Sequence, residues 1–293
     1  MRPLAFTKMV GTGNDFLVVD VRRRRPGGLA TRWPAASRAL CHRQRGVGAD
    51  GMLVLEPSTR ADLRMRIFNA DGTEAEMCGN GARCVALYAS NGHRRLTIET
   101  RGGLVSAEVR GGRVAMRMPE PTELEQGTRL TVGGRSYRMD RINTGVPHVI
   151  VPVSSLEGVD VDRLGRAIRR HPRFAPRGTN VNFIQRDPHH PDALRIRTYE
   201  RGVEGETLAC GTGATAAAII HALQAGGTAS RRTIHVSTRS GETLAVSMRI
   251  HRGGGQPRAT EVMLEGPARR VFEGRVAWPL SRAPTALGIP RLP

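Results

Sequence analysis

Apolar residues recur along this chain in short runs that alternate with polar neighbours, and turn residues separate the runs. Alternation puts every second side chain on one face, so strands are predicted over 4–9, 17–21, 52–55, 63–68, 96–100, 104–109 and 114–118. Turns such as Arg101-Gly102-Gly103 and Arg110-Gly111-Gly112 join them. Further strands are expected over 149–153, 182–184, 194–199, 233–237, 243–250 and 260–264. Helical spacing is confined to 35–43, 81–90, 161–170 and 213–224. The pattern predicts a meander of antiparallel strands with few helices. A composition dip over 119–127 marks a boundary between two halves, and the proline-bearing tail 281–293 lacks periodicity and is expected to be disordered.

The two halves repeat one another. In the first, Phe68-Asn69-Ala70-Asp71-Gly72-Thr73-Glu74-Ala75-Glu76-Met77-Cys78-Gly79-Asn80-Gly81-Ala82 runs from a strand through an acidic turn into a helix. In the second, Tyr199-Glu200-Arg201-Gly202-Val203-Glu204-Gly205-Glu206-Thr207-Leu208-Ala209-Cys210-Gly211-Thr212-Gly213-Ala214 does the same. A fainter echo pairs Gly11-Thr12-Gly13-Asn14-Asp15-Phe16 with Gly178-Thr179-Asn180-Val181-Asn182-Phe183. Internal duplication accounts for all of this and predicts two similar lobes, each bringing one cysteine to a shared cleft.

Composition removes several function classes. No run approaches the ~18 uncharged apolar residues of a spanning helix. Met1-Arg2-Pro3-Leu4 opens no signal-peptide pattern, so a cytoplasmic location is expected. Lys+Arg 45 against Asp+Glu 26 gives a net charge of +19, which points to an anionic partner. The basic residues are scattered arginines apart from 22–25, however, and only 4% of residues are aromatic, which disfavours nucleic-acid binding as the main function. Lys8 is the sole lysine and lies in the apolar pattern Phe6-Thr7-Lys8-Met9-Val10. A pyridoxal Schiff base therefore has one ill-suited candidate, and no cofactor is expected. Cys41, Cys78, Cys84 and Cys210 show no C-x-x-C spacing, so neither a metal site nor a disulfide framework is expected.

The duplicated Cys-Gly-x-Gly carries the chemistry. A thiol at a helix N-terminus has its thiolate stabilised by the helix dipole and by free backbone N–H groups. The flanking glycines let that backbone approach a ligand closely, and Gly79-Asn80 with Gly211-Thr212 form two anion-binding ends that can clamp one carboxylate. Two like thiols around one anion suit inversion of a carbon centre, with one removing a proton and the other delivering one to the opposite face. Cys41 and Cys84 read instead as packed core residues, Glu200-Arg201 has the plain alternative of a surface ion pair, and Asn14 and Asn180 that of turn formers.

In combination, Phe6-Thr7-Lys8-Met9-Val10-Gly11-Thr12-Gly13-Asn14-Asp15-Phe16, the stretches 68–84 and 199–213, and Asn143-Thr144-Gly145-Val146-Pro147-His148 resemble the pyridoxal-independent diaminopimelate epimerase family over about residues 5–274. The resemblance implies an α+β fold of two pseudo-symmetric lobes, each a β-barrel-like, mostly antiparallel sheet wrapped around a central helix. Residues 1–119, joined by a C-terminal strand at about 268–280, form the first lobe and 120–267 the second. It implies Cys78 and Cys210 as catalytic cysteines, with His148 and Glu200 as polar partners that set their protonation. Asn14, Asn69, Gly79, Asn80, Asn180, Glu200, Arg201, Gly211 and Thr212 match substrate-binding positions. Two departures stand out: Gly51 replaces a glutamine, and Val146 an asparagine, found in some members. The implied partner is a small amino-acid substrate, with a homodimer left open. The rival readings are a related racemase of another amino acid and, from a different class, an Arg-rich nucleic-acid binder on this scaffold.

Overall fold

The computed structural model describes residues 3–23, 32–90, 95–225, 230–252 and 256–277; the tail 281–293 and Arg24–Arg25 lie outside them. The first run of elements is β1 (Leu4–Gly11), β2 (Asn14–Asp20), α1 (Trp33–Leu40), β3 (Gly51–Glu56), β4 (Leu63–Asn69), β5 (Glu74–Ala75), α2 (Gly79–Ala89), β6 (Arg95–Thr100), β7 (Gly103–Arg110) and β8 (Arg113–Arg117). The second is β9 (Thr122–Val132), β10 (Arg135–Asn143), β11 (Pro147–Pro152), α3 (Val161–Arg169), β12 (Asn180–Arg186), β13 (Ala193–Glu200), β14 (Gly205–Thr207), α4 (Gly211–Gln224), β15 (Arg231–Ser237), β16 (Thr243–His251) and β17 (Arg258–Pro267), before a closing β18 (Arg269–Val276).

The pairings repeat strand for strand. β1–β2 and β10–β11 are antiparallel, β2–β3 and β11–β12 parallel, and β3–β4 and β12–β13 antiparallel. β4 pairs β6 in parallel as β13 pairs β15, with antiparallel neighbours following in both halves. The outermost strands are exchanged along the chain: β18 returns to pair with β1, where β9 pairs with its own neighbour β10. β8 and β17 pair antiparallel and join the two sheets.

Each sheet wraps a helix. Ala82, Cys84, Val85 and Ala86 of α2 pack on Met9, Leu53, Ile67 and Met116. On α4, Ala217, Ala218, Ile219 and Ile220 pack on Ile150, Ile184, Leu244 and Leu264. α4 is buried on every side, which is why its sequence shows no polar face. Burying Ile219 and Ile220 contributes about 1.5–3 kcal/mol each, more than the ~1 kcal/mol that a glycine costs in a helix. α1 and α3 cover the outer faces of the sheets in separate cores built around Trp33 and Tyr199.

One expectation is corrected. The strands are not a purely antiparallel meander, because the α1, α2, α3 and α4 crossovers each force a parallel pairing. Within and beyond the stretch 119–127, Thr122–Val132 is the long β9, hairpinned to β10 through Gly133-Gly134, both at positive φ. That two-residue turn demands left-handed backbone at both positions, which glycine adopts without steric cost.

Candidate active site at the paired helix N-termini

Cys78 and Cys210 occupy the same place in the two halves, the residue before the first turn of α2 and of α4. Both are extended, with φ/ψ of −142°/115° and −121°/111°. The Cys78 sulfur accepts the Gly81 N–H at 3.4 Å, and the Cys210 sulfur lies 3.4 Å from Thr212 Oγ1. α2 and α4 touch each other, and the charge at Cys78 acts on the Cys210 thiol, so the two sulfurs are near neighbours. Glu200 acts electrostatically on both. All four cysteines are free thiols.

The sign of the thiol perturbation differs from the sequence expectation. Burial pushes the Cys78 thiol up and the Cys210 thiol up to about 12, because desolvation outweighs the nearby N–H groups. Glu200 is raised by burial as well and makes no ion pair with Arg201 among the described residues, which removes the surface-pair alternative. His148 is fully buried, and burial together with Arg201 lowers its pKa to about 3, so the ring is neutral.

The His148 tautomer follows from its neighbours. Thr198 Oγ1 donates to Asn182 Oδ1 at 3.0 Å, which turns the Asn182 nitrogen toward His148 Nδ1 and the Val149 carbonyl, both at 3.1 Å. An amide nitrogen only donates, so Nδ1 accepts and the ring proton sits on Nε2. Nε2 is buried without a partner, a free donor at the site.

On the opposite side, Asn80 Nδ2 donates to Asn14 Oδ1 at 2.7 Å, and Asn14 Nδ2 donates to Asp50 Oδ2 at 2.9 Å. Asp50 is held by Arg43 at 2.6 Å, and Arg43 also binds Asp15. The Arg43 and Lys8 hydrogen bonds overcome burial and hold the Asp15 carboxyl at about 2. Lys8 is thereby committed to Asp15, at 2.6 Å, and to the Gly48 carbonyl. Asn180 is buried; its amide donates to the Pro147 carbonyl and accepts the Arg201 N–H, so it ties the His148 strand to the Glu200 turn. Asn69 stands apart, exposed and hydrogen-bonded to Thr73 in its own turn. Thr144 Oγ1 donates to the Thr212 carbonyl at 3.0 Å and pins the α4 end.

Gly51 opens β3 opposite Asn69, where a Cβ would sit 2.7 Å from the Phe68 carbonyl oxygen; backbone packing holds that position to glycine. Cys41 and Cys84 are buried in hydrophobic cores. Thr12, Asp50, Arg83, Thr144 and Asn182 join these side chains through hydrogen bonds and were not singled out by sequence. Among the described residues no cluster of His, Cys, Asp and Glu has metal-binding geometry, and no helix is long and apolar enough to cross a membrane.

A family model described as diaminopimelate epimerase matches residues 6–123 and 141–271. The chain belongs to the diaminopimelate epimerase family. It is 41% identical to a diaminopimelate epimerase of Aquifex aeolicus, covering 94% of this chain and 98% of that one. A diaminopimelate epimerase of Archaeoglobus fulgidus is 42% identical, with coverage of 92% and 95%. Among solved structures, a phenazine biosynthesis protein of Bacillus anthracis is similar with a TM-score of 0.68 at 18% identity, covering 94% of this chain and 100% of that one. A hydroxyproline epimerase of Agrobacterium vitis is similar at 0.64 and 20%, covering 94% and 93%. These likenesses show the two-lobed fold of the diaminopimelate epimerase family in proteins of distant sequence.

Proposed function

We propose that this chain interconverts LL- and meso-diaminopimelate without a cofactor, by a two-base mechanism carried by Cys78 and Cys210. The observation that carries the reading is the matched placement of the two sulfurs at the N-termini of α2 and α4, two helices in contact with each other. Residues 1–119 with about 268–280, and 120–267, are taken as the two lobes that supply them.

One thiolate removes the α-proton while the opposite thiol protonates the other face; one C–H bond breaks, one forms, and the two sulfurs exchange protonation states. Charge developing on the substrate carboxylate is stabilised by the backbone N–H groups of Gly79, Asn80, Gly211 and Thr212. Burial raises both thiols and so favours their protonated forms, and one proton must leave before either sulfur can act as base. The substrate ammonium group favours that loss, and Glu200, with its own pKa raised, is suited to receive the proton. The His148 Nε2–H and the Arg201 guanidinium offer donors to a second, zwitterionic amino-acid head, and Asn14 and Asn180, whose amide oxygens accept from Asn80 Nδ2 and the Arg201 N–H, are the amide side chains taken to contact it.

Conversion of LL-diaminopimelate by the purified chain and its single-cysteine variants tests the reading. Cys78→Ala and Cys210→Ala are each expected to lose at least 100-fold in kcat, about 2.7 kcal/mol or more, while Cys41→Ala retains most activity. Either catalytic variant keeping more than about a tenth of the rate, a loss of only ~1.4 kcal/mol, contradicts the two-thiol assignment.

A further inference from the structure

Arg83 lies inside α2 and is fully buried. It makes no ion pair among the described residues; its Nη2 donates to Thr12 Oγ1 at 2.8 Å and to Asn80 Oδ1, while Nε and Nη1 have no partner. Nη1 lies 4.0 Å from where a Cβ would project at Gly79 and equally 4.0 Å from the same point at Gly211, so it sits between the first residues of both helices. Helix N-termini are the positive ends of their dipoles. A buried cation with unsatisfied nitrogens, set against two such ends, is unfavourable on desolvation, on hydrogen bonding and on charge. One anion lodged between the helix ends reverses the last of these.

The guanidinium also begins a directional chain. It only donates, so it turns the Asn80 carbonyl toward itself and the Asn80 nitrogen toward Asn14. Asp50 only accepts, so it turns the Asn14 nitrogen toward itself from the other end. Both amides are thereby fixed in one orientation. The same guanidinium holds Thr12, a β-branched residue at φ 47° in the β1–β2 turn, a conformation that needs such restraint.

We propose that Arg83 is a positioning residue of this site: it fixes the Asn80 and Asn14 amides and the Thr12 turn, and through the glycine backbones of both helix ends it supplies positive charge for a bound carboxylate. The proposal rests on the epimerase reading above.

The test compares full-length wild type with Arg83→Met and Arg83→Lys, measuring thermal unfolding, kcat and KM with LL-diaminopimelate, and the pH dependence of Cys78 alkylation by iodoacetamide. Arg83→Met removes a buried, incompletely satisfied charge but leaves Thr12 Oγ1 and Asn80 Oδ1 without their donor, so the two effects offset and the variant is expected to unfold no more than about 3 °C below wild type. Its kcat/KM is expected to fall at least 100-fold, with kcat losing more than KM gains, because charge on the carboxylate grows in the transition state. Arg83→Lys is expected to fall at least tenfold, since a point charge cannot satisfy Thr12 and Asn80 while facing both helices. The groups acting on Cys78 are Arg83, Glu200, the neighbouring Cys210 thiol and the Asn80 and Gly81 N–H groups; removing the cation alone moves the alkylation midpoint upward. Arg83→Met that fails to fold, or unfolds more than about 10 °C lower, overturns the proposal in favour of a structural role. So does a kcat/KM within about threefold of wild type. A wild-type chain without turnover removes the epimerase reading instead, and the alkylation shift still decides whether Arg83 acts on the site.

Discussion

His148 is held neutral because burial and the nearby Arg201 both disfavour an imidazolium, and this sets an acid limit on the fold. Its folded pKa of about 3 lies below the ordinary 6.5, so the unfolded chain binds the proton more readily. The resulting stability is fully present above pH 6.5 and declines as pH falls toward 3. The melting temperature is therefore expected to drop below pH 6.5 and to drop less steeply in His148→Gln; parallel acid limbs in the two proteins contradict the assignment. At this scale the sequence was partly informative. Two cysteines in duplicated contexts were legible because the surrounding glycines and turns repeat with them. The direction of their pKa shift was not, since it depends on enclosure by both lobes rather than on the local helix end. Arg83 was hidden because one arginine in Gly-Ala-Arg-Cys-Val reads as a solvent-facing helix residue.

Among the elements, α2 and α4 have the same start but different neighbours, and their third helical residues separate the two. A Cβ at Gly213 would meet Asn182 Oδ1 at 2.3 Å, whereas one at Gly81 would meet Leu53 Cδ2 at 3.0 Å. Asn182 is buried and is oriented by Thr198 and His148, so it has little room to yield. Gly→Ala gains about 1 kcal/mol of helix propensity, and a clash in a packed interior costs about 1–3 kcal/mol. Gly213→Ala is therefore expected to be destabilising and to lose most activity through His148, while Gly81→Ala stays near neutral in stability. Denaturant unfolding of the pair checks this, and equal stabilities contradict it. Helices and buried strands were legible as elements because each shows one apolar period. β9 was not, because most of its residues face outward, and β10 was not, because its buried positions do not alternate regularly; the largely exposed β18 was expected only through the family resemblance.

For the molecule as a whole, the duplication decides the architecture: two sheets with matching pairings each hold one helix, and the β8–β17 pairing keeps the helix ends together. The return of β18 to β1 was expected from the family resemblance alone and not from local pattern, since pairing over that sequence distance follows from three-dimensional closure. The central claim is that the two halves contribute one thiol each to opposite faces of one carbon, and turnover in deuterated water tests it most directly. LL-diaminopimelate converted at early times is expected to give meso product carrying one solvent deuterium at the inverted carbon, while remaining substrate stays unlabelled. Product that retains its original α-proton, or substrate and product labelled at the same rate, points to a single base on one face and contradicts the account.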